Sequence, residues 1–327
     1  AVGRVSNVRM VDMPMLPESP IKPNRPVILA LSILFGLFLG VVAAFVRKSF
    51  SGSIDTPEQL EDIAGVPVYA TIPHSRKQKE LYQQVNAKHQ KVPLLANVSS
   101  SDIAVESLRN FRTALQFSLP TFKNNIVMIS GATPGMGKSF VSANLAAIMA
   151  ATGKRVLLID GDLRNGLLHL YFGFGRHDGL SDAIAGARRL DQVIHRNVIE
   201  NMDFIATGTL PQHPAELLLR PAFGAFLQEL STHYDLVLVD APPILAVADT
   251  MIMGAHVGGI YLMTRAGVTT PGEVQESIKR LRQAGLNANG VLLNDLKPRP
   301  GRYGYGYTYG MPYGQKPEGN TPLIEAS

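Results

Sequence analysis

The segment SGATPGMGKSF, residues 130–140, constrains the fold of this chain more than any other feature. It follows a short apolar run at residues 125–130 and leads into a helical pattern that ends before Gly153. Between a strand and a helix, a glycine-rich loop presents backbone N–H groups and a helix N-terminus to phosphate. The sequence therefore predicts a phosphate-binding loop at Ala132–Ser139 in an α/β fold.

The residue types of this loop suit a nucleotide and a divalent cation. Gly135 and Gly137 let the backbone curl so that its N–H groups point at phosphate oxygens. Lys138 supplies a positive charge for the β- and γ-phosphates, and Ser139 supplies a hydroxyl for Mg²⁺. We expect ATP and Mg²⁺, and the other loop positions predicted to contact them are Ala132, Thr133, Pro134, Met136 and Phe140. Ala132 stands where the strict pattern has glycine, with Gly131 one residue earlier.

Short apolar runs alternate with helical patterns through the rest of the chain. Strands are predicted at residues 66–73, 125–130, 155–160, 236–240, 259–264 and 290–295. Helices are predicted at residues 53–65, where Asp55 is a candidate N-cap, and at 101–119, 140–152 and 271–284. Nearly continuous apolar strands separated by helices indicate a parallel sheet covered on both faces, in which ligands bind at the carboxyl ends of the strands.

Three aspartates follow two of these strands. VLLIDGDLR contains Asp160 and Asp162, and LVLVDAPP contains Asp240. Carboxylates beside a phosphate-binding loop are unfavourable unless a cation or a hydroxyl proton needs them. We expect Asp240 to hold Mg²⁺ together with Ser139, and either Asp160 or Asp162 to accept a proton from an attacking hydroxyl.

The run Val27–Val46 contains twenty residues without a charge. At 1.5 Å per residue, a helix of this length spans about 30 Å, the thickness of a hydrocarbon core. Basic residues flank the run on both sides, so their distribution does not set the orientation. Because ATP is cytoplasmic, we expect residues after 48 to lie inside the cell and residues 1–26 to lie outside.

Before the apolar run, prolines recur at every third position, Pro14, Pro17, Pro20, Pro23 and Pro26. Such a run excludes a helix and is typical of polyproline geometry or of an unstructured linker. The chain begins with Ala1 in irregular polar sequence, so we expect a fragment or a processed form of a longer protein.

Composition narrows the classes of partner and of chemistry. The formal net charge of +5 suits contact with anionic lipid as well as with nucleic acid. No run of Lys and Arg is interleaved with aromatic residues, so no nucleic-acid partner is predicted. The sequence contains no cysteine, which excludes disulfides, thiolate zinc sites and cysteine nucleophiles within these residues.

The C-terminal region RYGYGYTYGMPYG holds five of the ten tyrosines. They are Tyr303, Tyr305, Tyr307, Tyr309 and Tyr313. Glycine and tyrosine alternate with almost no aliphatic residues, so this region cannot pack a core and is expected to be disordered. Two interpretations stay open: a low-complexity tail that associates nonspecifically, and a set of accessible hydroxyls for phosphorylation.

The order of these motifs resembles the bacterial tyrosine kinases, or BY-kinases, that are fused to polysaccharide co-polymerases and act in exopolysaccharide or capsule synthesis and export. The likeness extends over nearly the whole chain. It implies that Ala132 is an ordinary member of the phosphate-binding loop and that the loop and Asp240 correspond to the Walker A and Walker B motifs. It also implies that Asp160 and Asp162 lie near the acceptor tyrosine and the metal, with Asp162 as a metal ligand.

The resemblance further implies an assembly. An E-x2-R-x2-R motif matches Glu106, Arg109 and Arg112, which in the family join subunits into a ring. The sequence alone favours a different interpretation, in which these residues form a solvated face of a helix. The tyrosine tail of one subunit then enters the active site of its neighbour, and Asn294 lies near the nucleotide base. The implied partners are other copies of the chain, the bacterial inner membrane, the polysaccharide polymerisation and export machinery, and a cognate tyrosine phosphatase.

Together these features predict a P-loop NTPase-type parallel sheet, preceded by one transmembrane helix and followed by a disordered tyrosine-rich tail. The predicted divisions are a periplasmic proline-rich segment (1–26), the membrane helix (27–46), a cytoplasmic linker (47–100), a kinase domain (101–296) and the tail (297–327).

Two other functions share parts of this pattern. Cell-division and partition ATPases have the same fold and the same strand-end acids but use water as the nucleophile. Many carry a signature lysine at the position of Thr133, and its absence here disfavours them. The second is a membrane scaffold that regulates polysaccharide chain length without catalysis, in which nucleotide controls assembly only.

Overall fold

The computed structural model describes residues 23–50, 52–81 and 93–297. The chain divides into two compact units, residues 1–52 and residues 53–327. Most of the predicted proline-rich segment and all five tail tyrosines lie outside the described residues.

The first unit contains one long helix, α1, at Arg25–Phe50. Between residues 27 and 42 its large apolar side chains are exposed; Leu34, for example, is 72% exposed. The stretch Arg25–Ala43 is long and apolar enough to cross a membrane, by length and composition. The helix predicted at Val27–Val46 is therefore confirmed as a helix.

The second unit alternates strands and helices. Its strands are β1 (Val68–Pro73), β2 (Ile126–Gly131), β3 (Val156–Asp160), β4 (Ile194–Ile199), β5 (Met202–Ile205), β6 (Leu236–Asp240), β7 (Gly259–Arg265) and β8 (Gly290–Leu296). The longer helices are α2 (Pro57–Ala64), α5 (Ile103–Ser118), α6 (Lys138–Ala150), α11 (Pro221–His233) and α13 (Pro271–Gln283). The shorter ones are α3 (residues 76–81), α4 (Leu95–Val98), α7 (His169–Phe172), α8 (Leu180–Ile184), α9 (Leu190–Val193), α10 (Pro214–Leu218) and α12 (Asp249–Gly254).

The eight strands form one sheet in the order β1-β8-β7-β2-β6-β3-β5-β4. All neighbouring pairs are parallel except β4 and β5, which are antiparallel. The predicted parallel sheet is confirmed, and all six predicted strands are present. The sequence did not predict β4 and β5. All but the first residue of β4 are half-exposed or exposed.

The central strand β2 lies between β6 and β7 and is buried along its whole length. Successive side chains of a strand point to opposite faces. Ile126 and Met128 join a core that includes residues of α2, α11 and α13, whereas Val127 and Ile129 join a core that includes residues of α5 and α6. Helices therefore cover both faces of the sheet. A ligand can approach β2 at the carboxyl end of the strand.

Part of the predicted linker at residues 47–100 belongs to this sheet. Strand β1 pairs with β8, and Ile72 is completely buried in the core beside α5. Helix α2 precedes β1, and its N-cap is Thr56 rather than the predicted Asp55, because the Thr56 hydroxyl accepts the Gln59 N–H at 3.3 Å. Pairing with β8 and burial of Ala70 and Ile72 therefore join β1 to the same sheet as the phosphate-binding loop.

The placement of β1 leads to a stability prediction. Ile72→Ala in residues 53–327 should lower the free energy of unfolding by about 2–5 kcal/mol, because it leaves a cavity in the core. The measurement is denaturant unfolding followed by circular dichroism. Val98→Ala is the control, because Val98 is 49% exposed and should change stability by less than about 0.5 kcal/mol. An Ile72→Ala variant as stable as this control would show that β1 is a detachable linker.

Candidate active site

The predicted phosphate-binding loop connects β2 to α6 at the carboxyl edge of the sheet. Gly135 and Gly137 have φ values of +79° and +90°, in the left-handed region that favours glycine. Gly137 is the N-cap of α6, and a Cβ atom there would collide with the amide nitrogen of Asn294. The loop therefore needs glycine at 137 for two reasons, its backbone conformation and the close approach of a neighbouring side chain.

Ala132 takes the place of the first glycine without backbone strain. It is completely buried, and it is not among the described residues with positive φ. Its N–H donates to the Met263 carbonyl at 3.3 Å, and its carbonyl accepts the Leu245 N–H at 3.1 Å. Close approach occurs instead at Gly131, where a Cβ atom would lie 3.2 Å from the Lys138 side chain.

The three predicted acids lie at or just beyond the ends of the adjacent strands β3 and β6. Asp160 and Asp240 are directly paired in the sheet. The Ser139 hydroxyl donates to Asp240 Oδ2 at 2.6 Å, and the Ser142 hydroxyl donates to Asp240 Oδ1 at 3.1 Å. The start of α6 and the end of β6 are thereby joined through the serine and the acid predicted to hold Mg²⁺.

Burial makes the ionised forms of two acids unfavourable. Burial first, and then the Asp240 carboxylate, raises the pKa of Asp160 to about 7. Burial also raises the pKa of Asp240 to about 6, against the opposing effects of Lys138 and the two serine hydroxyls. Two carboxyl groups this close favour the arrival of positive charge, which is what a cation-binding site requires.

Asp162 occupies a different environment from Asp160. It is only partly buried, and its Oδ1 atom accepts the backbone N–H groups of Arg164 and Asn165 at 3.1 and 2.9 Å. Asp160 has no exposed surface, and its Oδ2 atom accepts the Leu168 N–H at 3.0 Å. Asp162 is therefore accessible to solvent, whereas Asp160 is enclosed and holds the turn that follows β3.

An ion pair that the sequence did not reveal anchors the same turn. The guanidinium of Arg164 donates to both carboxylate oxygens of Asp249, from Nε at 2.9 Å and from Nη2 at 3.0 Å. Asp249 is fully buried at the start of α12. Arg164 stands in the motif LLIDGDLR, but the partner lies 85 residues away, and no local pattern marks it.

A cleft of about 810 Å³ opens over these groups. Its walls include Lys138, Ser139, Asp162, Tyr171 and Asn294. The structure thus brings the loop, the partly buried Asp162 and the end of β8 to one cleft. Asn294 donates its side-chain amide to the Met136 carbonyl at 2.9 Å; contact with a nucleotide base stays a prediction.

The donor set suits Mg²⁺. Within the described ranges, no group of three or more His, Asp or Glu side chains is arranged to hold a metal ion. Mg²⁺ usually takes one or two carboxylates and keeps several waters or phosphate oxygens. The Ser139 hydroxyl and the Asp240 carboxylate, with Asp162 on the cleft wall, fit that pattern and leave room for phosphate.

The predicted subunit contacts lie on α5, away from the walls of the cleft. Glu106 and Arg109 form an ion pair one turn apart, and Arg109 also donates to the Ser100 carbonyl at 2.8 Å. The Nε atom of Arg112 is buried without a hydrogen-bond partner among the described residues. Their role in assembly stays a prediction, as does that of the tail tyrosines.

The raised pKa of Asp160 predicts a pH-dependent effect of Asp160→Asn. In the folded wild-type chain this carboxyl binds a proton below about pH 7, whereas the unfolded chain binds it only below about pH 4. This group therefore lowers wild-type stability as pH rises from about 4 to about 7, and the loss persists above that range. Asparagine avoids the loss and can still accept the Leu168 N–H.

Thermal unfolding in EDTA, followed by circular dichroism, measures the effect. We expect the asparagine variant to melt above the wild type at pH 8, with the gain shrinking as pH falls toward 5. The exposed Asp191→Asn is the control and should show no such trend. An Asp160→Asn variant that melts below the wild type at pH 8 would contradict this account of the site.

Comparison with known proteins places the site in a family. Residues 124–258 match a model of an AAA domain, and residues 1–49 match a model of a G-rich domain, GNVR. EpsB of Ralstonia solanacearum is 47% identical over 99% of this chain and 44% of its own length. A Klebsiella pneumoniae protein named for its cps region is 39% identical over 92% of this chain and 42% of its own length.

The solved structures give the same result. The kinase domain of the Escherichia coli tyrosine kinase ETK is 42% identical, with a TM-score of 0.71, over 78% of this chain and all of that domain. The present chain spans less than half the length of the curated relatives just named. By the match to the complete ETK kinase domain, this chain belongs to the family of bacterial tyrosine kinases.

Proposed function

We propose that this chain binds Mg·ATP on the loop at Ala132–Ser139 and transfers the γ-phosphoryl group to tyrosine hydroxyls. The observation that carries the proposal is the 2.6 Å hydrogen bond from Ser139 to Asp240, made beside Lys138 and Asp162. A hydroxyl, two acids and a lysine at one phosphate-binding loop are the groups that phosphoryl transfer uses.

The chain's own groups act on the substrate as follows. The N–H groups of the loop and the start of α6 bind the phosphates, and the Lys138 ammonium stabilises charge on the β- and γ-phosphates. Ser139, Asp240 and Asp162 would hold Mg²⁺, which when bound neutralises phosphate charge. Positioning and charge stabilisation supply most of the catalysis in this class of reaction.

The transfer step needs a group that takes the proton from the tyrosine hydroxyl. The tyrosine oxygen forms a bond to the γ-phosphorus while the bond to the β–γ bridging oxygen breaks, leaving ADP. The tyrosine proton passes to a carboxylate, and Asp162 has this role in the proposal because it lines the cleft. Asp160 is buried beneath it, so we assign it the positioning of the turn that carries Asp162.

The acceptors in this proposal are Tyr303, Tyr305, Tyr307, Tyr309 and Tyr313 of a neighbouring copy. Glu106, Arg109 and Arg112 on α5 are the proposed contacts that assemble copies into a ring. Each phosphate adds about −1.5 to −2 charges at neutral pH. Phosphorylated tails would repel one another, so the ring should loosen as phosphate accumulates, and a tyrosine phosphatase would reset it.

We further propose that α1 anchors the chain in the bacterial inner membrane, with residues after 48 in the cytoplasm. The exposed apolar surface of Arg25–Ala43 supports a membrane span. The relatives include a protein named for its cps region. We therefore place this chain with the machinery that polymerises and exports a bacterial polysaccharide, where the phosphorylation cycle would control assembly.

The test is to incubate the purified chain with Mg·ATP and to count added phosphates by intact-mass spectrometry. We expect a ladder of several phosphates that maps to Tyr303–Tyr313. Lys138→Met should remove the ladder, because the loop loses the charge that stabilises the transferred group. A variant with all five tail tyrosines changed to phenylalanine should gain none of those phosphates.

The outcomes separate the competing functions. ATP hydrolysed by the wild-type chain without phosphate on tyrosine would indicate a water-using ATPase. Nucleotide bound without hydrolysis or transfer would indicate a scaffold whose assembly nucleotide controls. Either result would contradict the proposed kinase activity.

A further inference from the structure

Two consecutive carbonyl groups of the phosphate-binding loop are held by side chains from neighbouring strands. Arg265, at the end of β7, donates from Nη1 to the Gly135 carbonyl at 3.3 Å. Asn294, near the end of β8, donates from Nδ2 to the Met136 carbonyl at 2.9 Å. In a trans peptide the C=O and the following N–H point in opposite directions. These two contacts therefore fix the directions of the N–H groups of Met136 and Gly137, which belong to the loop that must cradle phosphate.

Arg265 is itself held in place by an acid. Asp295 Oδ2 accepts both Nε and Nη2 of Arg265, at 2.9 and 2.8 Å. The other carboxylate oxygen of Asp295 pairs with Nδ1 of His74 at 2.5 Å. Asp295 is only 14% exposed, so this is a partly buried, two-sided contact rather than a mobile surface ion pair.

The backbone at Asp295 is adapted to this contact. Asp295 has φ of +60°, which non-glycine residues seldom adopt. Such a conformation is retained where surrounding contacts favour it, and it often marks a functional position. Although burial alone would raise it, the pKa of Asp295 is lowered, because His74 and Arg265 hydrogen-bond to its carboxylate.

His74 connects this group to the part of the chain that precedes the phosphate-binding loop. It directly follows β1, and its backbone N–H donates to the Leu296 carbonyl at 3.0 Å. The next residue, Ser75, donates its hydroxyl at 2.7 Å to Asp102, the N-cap of α5. The His74 side chain therefore joins a well-anchored stretch of backbone to Asp295.

We propose that His74, Asp295 and Arg265 form a positioning relay that holds the phosphate-binding loop in its nucleotide-binding conformation. The relay rests on the proposed binding of nucleotide but not on the acceptor of the phosphoryl group. It extends the site to a residue of the β1 region, 61 residues before Gly135. His74 and Asp295 act through Arg265, and Arg265 acts on the loop carbonyl.

The alternative is that these contacts stabilise the fold without affecting the loop. Stability and nucleotide affinity would then change together, or affinity would not change at all. A double-mutant cycle separates the two cases, because residues acting in series give non-additive effects.

The experiment uses the full chain in detergent micelles and measures the Kd for Mg·ADP by equilibrium dialysis. We expect Arg265→Ala to raise the Kd about tenfold, as for loss of a hydrogen bond from a charged group. Asp295→Asn and His74→Ala should each raise the Kd about three- to tenfold. The double variant His74→Ala/Arg265→Ala should bind no more weakly than Arg265→Ala alone. Thermal unfolding by circular dichroism should show that each variant is folded at the assay temperature.

Arg188→Ala is the matched control. Arg188 pairs with Asp178 at 2.6 Å, and both side chains are about half exposed. Removing this pair should leave the Kd within twofold of the wild type. An unchanged Kd for folded Arg265→Ala, or additive effects of His74→Ala and Arg265→Ala, would overturn the relay. Because the readout is ADP binding, a wild-type chain that binds ADP but phosphorylates no tyrosine would refute the proposed kinase activity and leave the relay standing.

Discussion

The burial of β2 between β6 and β7 is the constraint on which the rest of the site depends. A strand enclosed on both faces and paired on both edges can meet solvent only at its ends. The strand therefore ends at Gly131, and the loop that follows lies at the carboxyl edge, where the neighbouring strands also end. Helix α6 begins directly after the loop, so its N-terminal dipole points at the position that phosphate would occupy. The same geometry brings the end of β6 within hydrogen-bond distance of Ser139.

The site keeps negative charge where the fold alone would not favour it. Asp160 and Asp240 are adjacent and buried, and the pKa of each carboxyl is raised. A protein that needed only a stable sheet would do better with apolar or neutral residues at these positions. The arrangement is consistent with a site that trades stability for the binding of a cation and a phosphorylated ligand. The same turn is held by the ion pair between Arg164 and the buried carboxylate of Asp249.

The elements predicted from sequence are those with strong local signals. Six strands and the phosphate-binding loop were recognisable because apolar runs and glycine positions are contiguous in the chain. The strand order was not, because it depends on pairing between distant segments, and the half-exposed β4 lacks an unbroken apolar run. Strand β1 was predicted as a strand, but its place in the sheet emerges only from its pairing with β8.

The same limit applies to the site. The motifs containing Lys138 and the three acids identify it, yet the contacts that orient the loop come from far along the chain. His74 and Asp295 are 221 residues apart, and Arg265 and Gly135 are 130 apart. No spacing rule predicts such contacts. At Ala132 the sequence raised a question that the structure answers. The residue departs from the strict motif, but its φ is not positive and its side chain is buried, so alanine fits this position without strain.

The destination of the γ-phosphoryl group tests the whole account most directly. Wild-type chain in excess over γ-labelled Mg·ATP would be quenched within a single turnover, and the label divided into phosphotyrosine and inorganic phosphate. If the cleft presents Asp162 to a tyrosine hydroxyl, most of the label should appear on tyrosine before inorganic phosphate accumulates. Label recovered only as inorganic phosphate would contradict the assignment of this site to tyrosine phosphorylation.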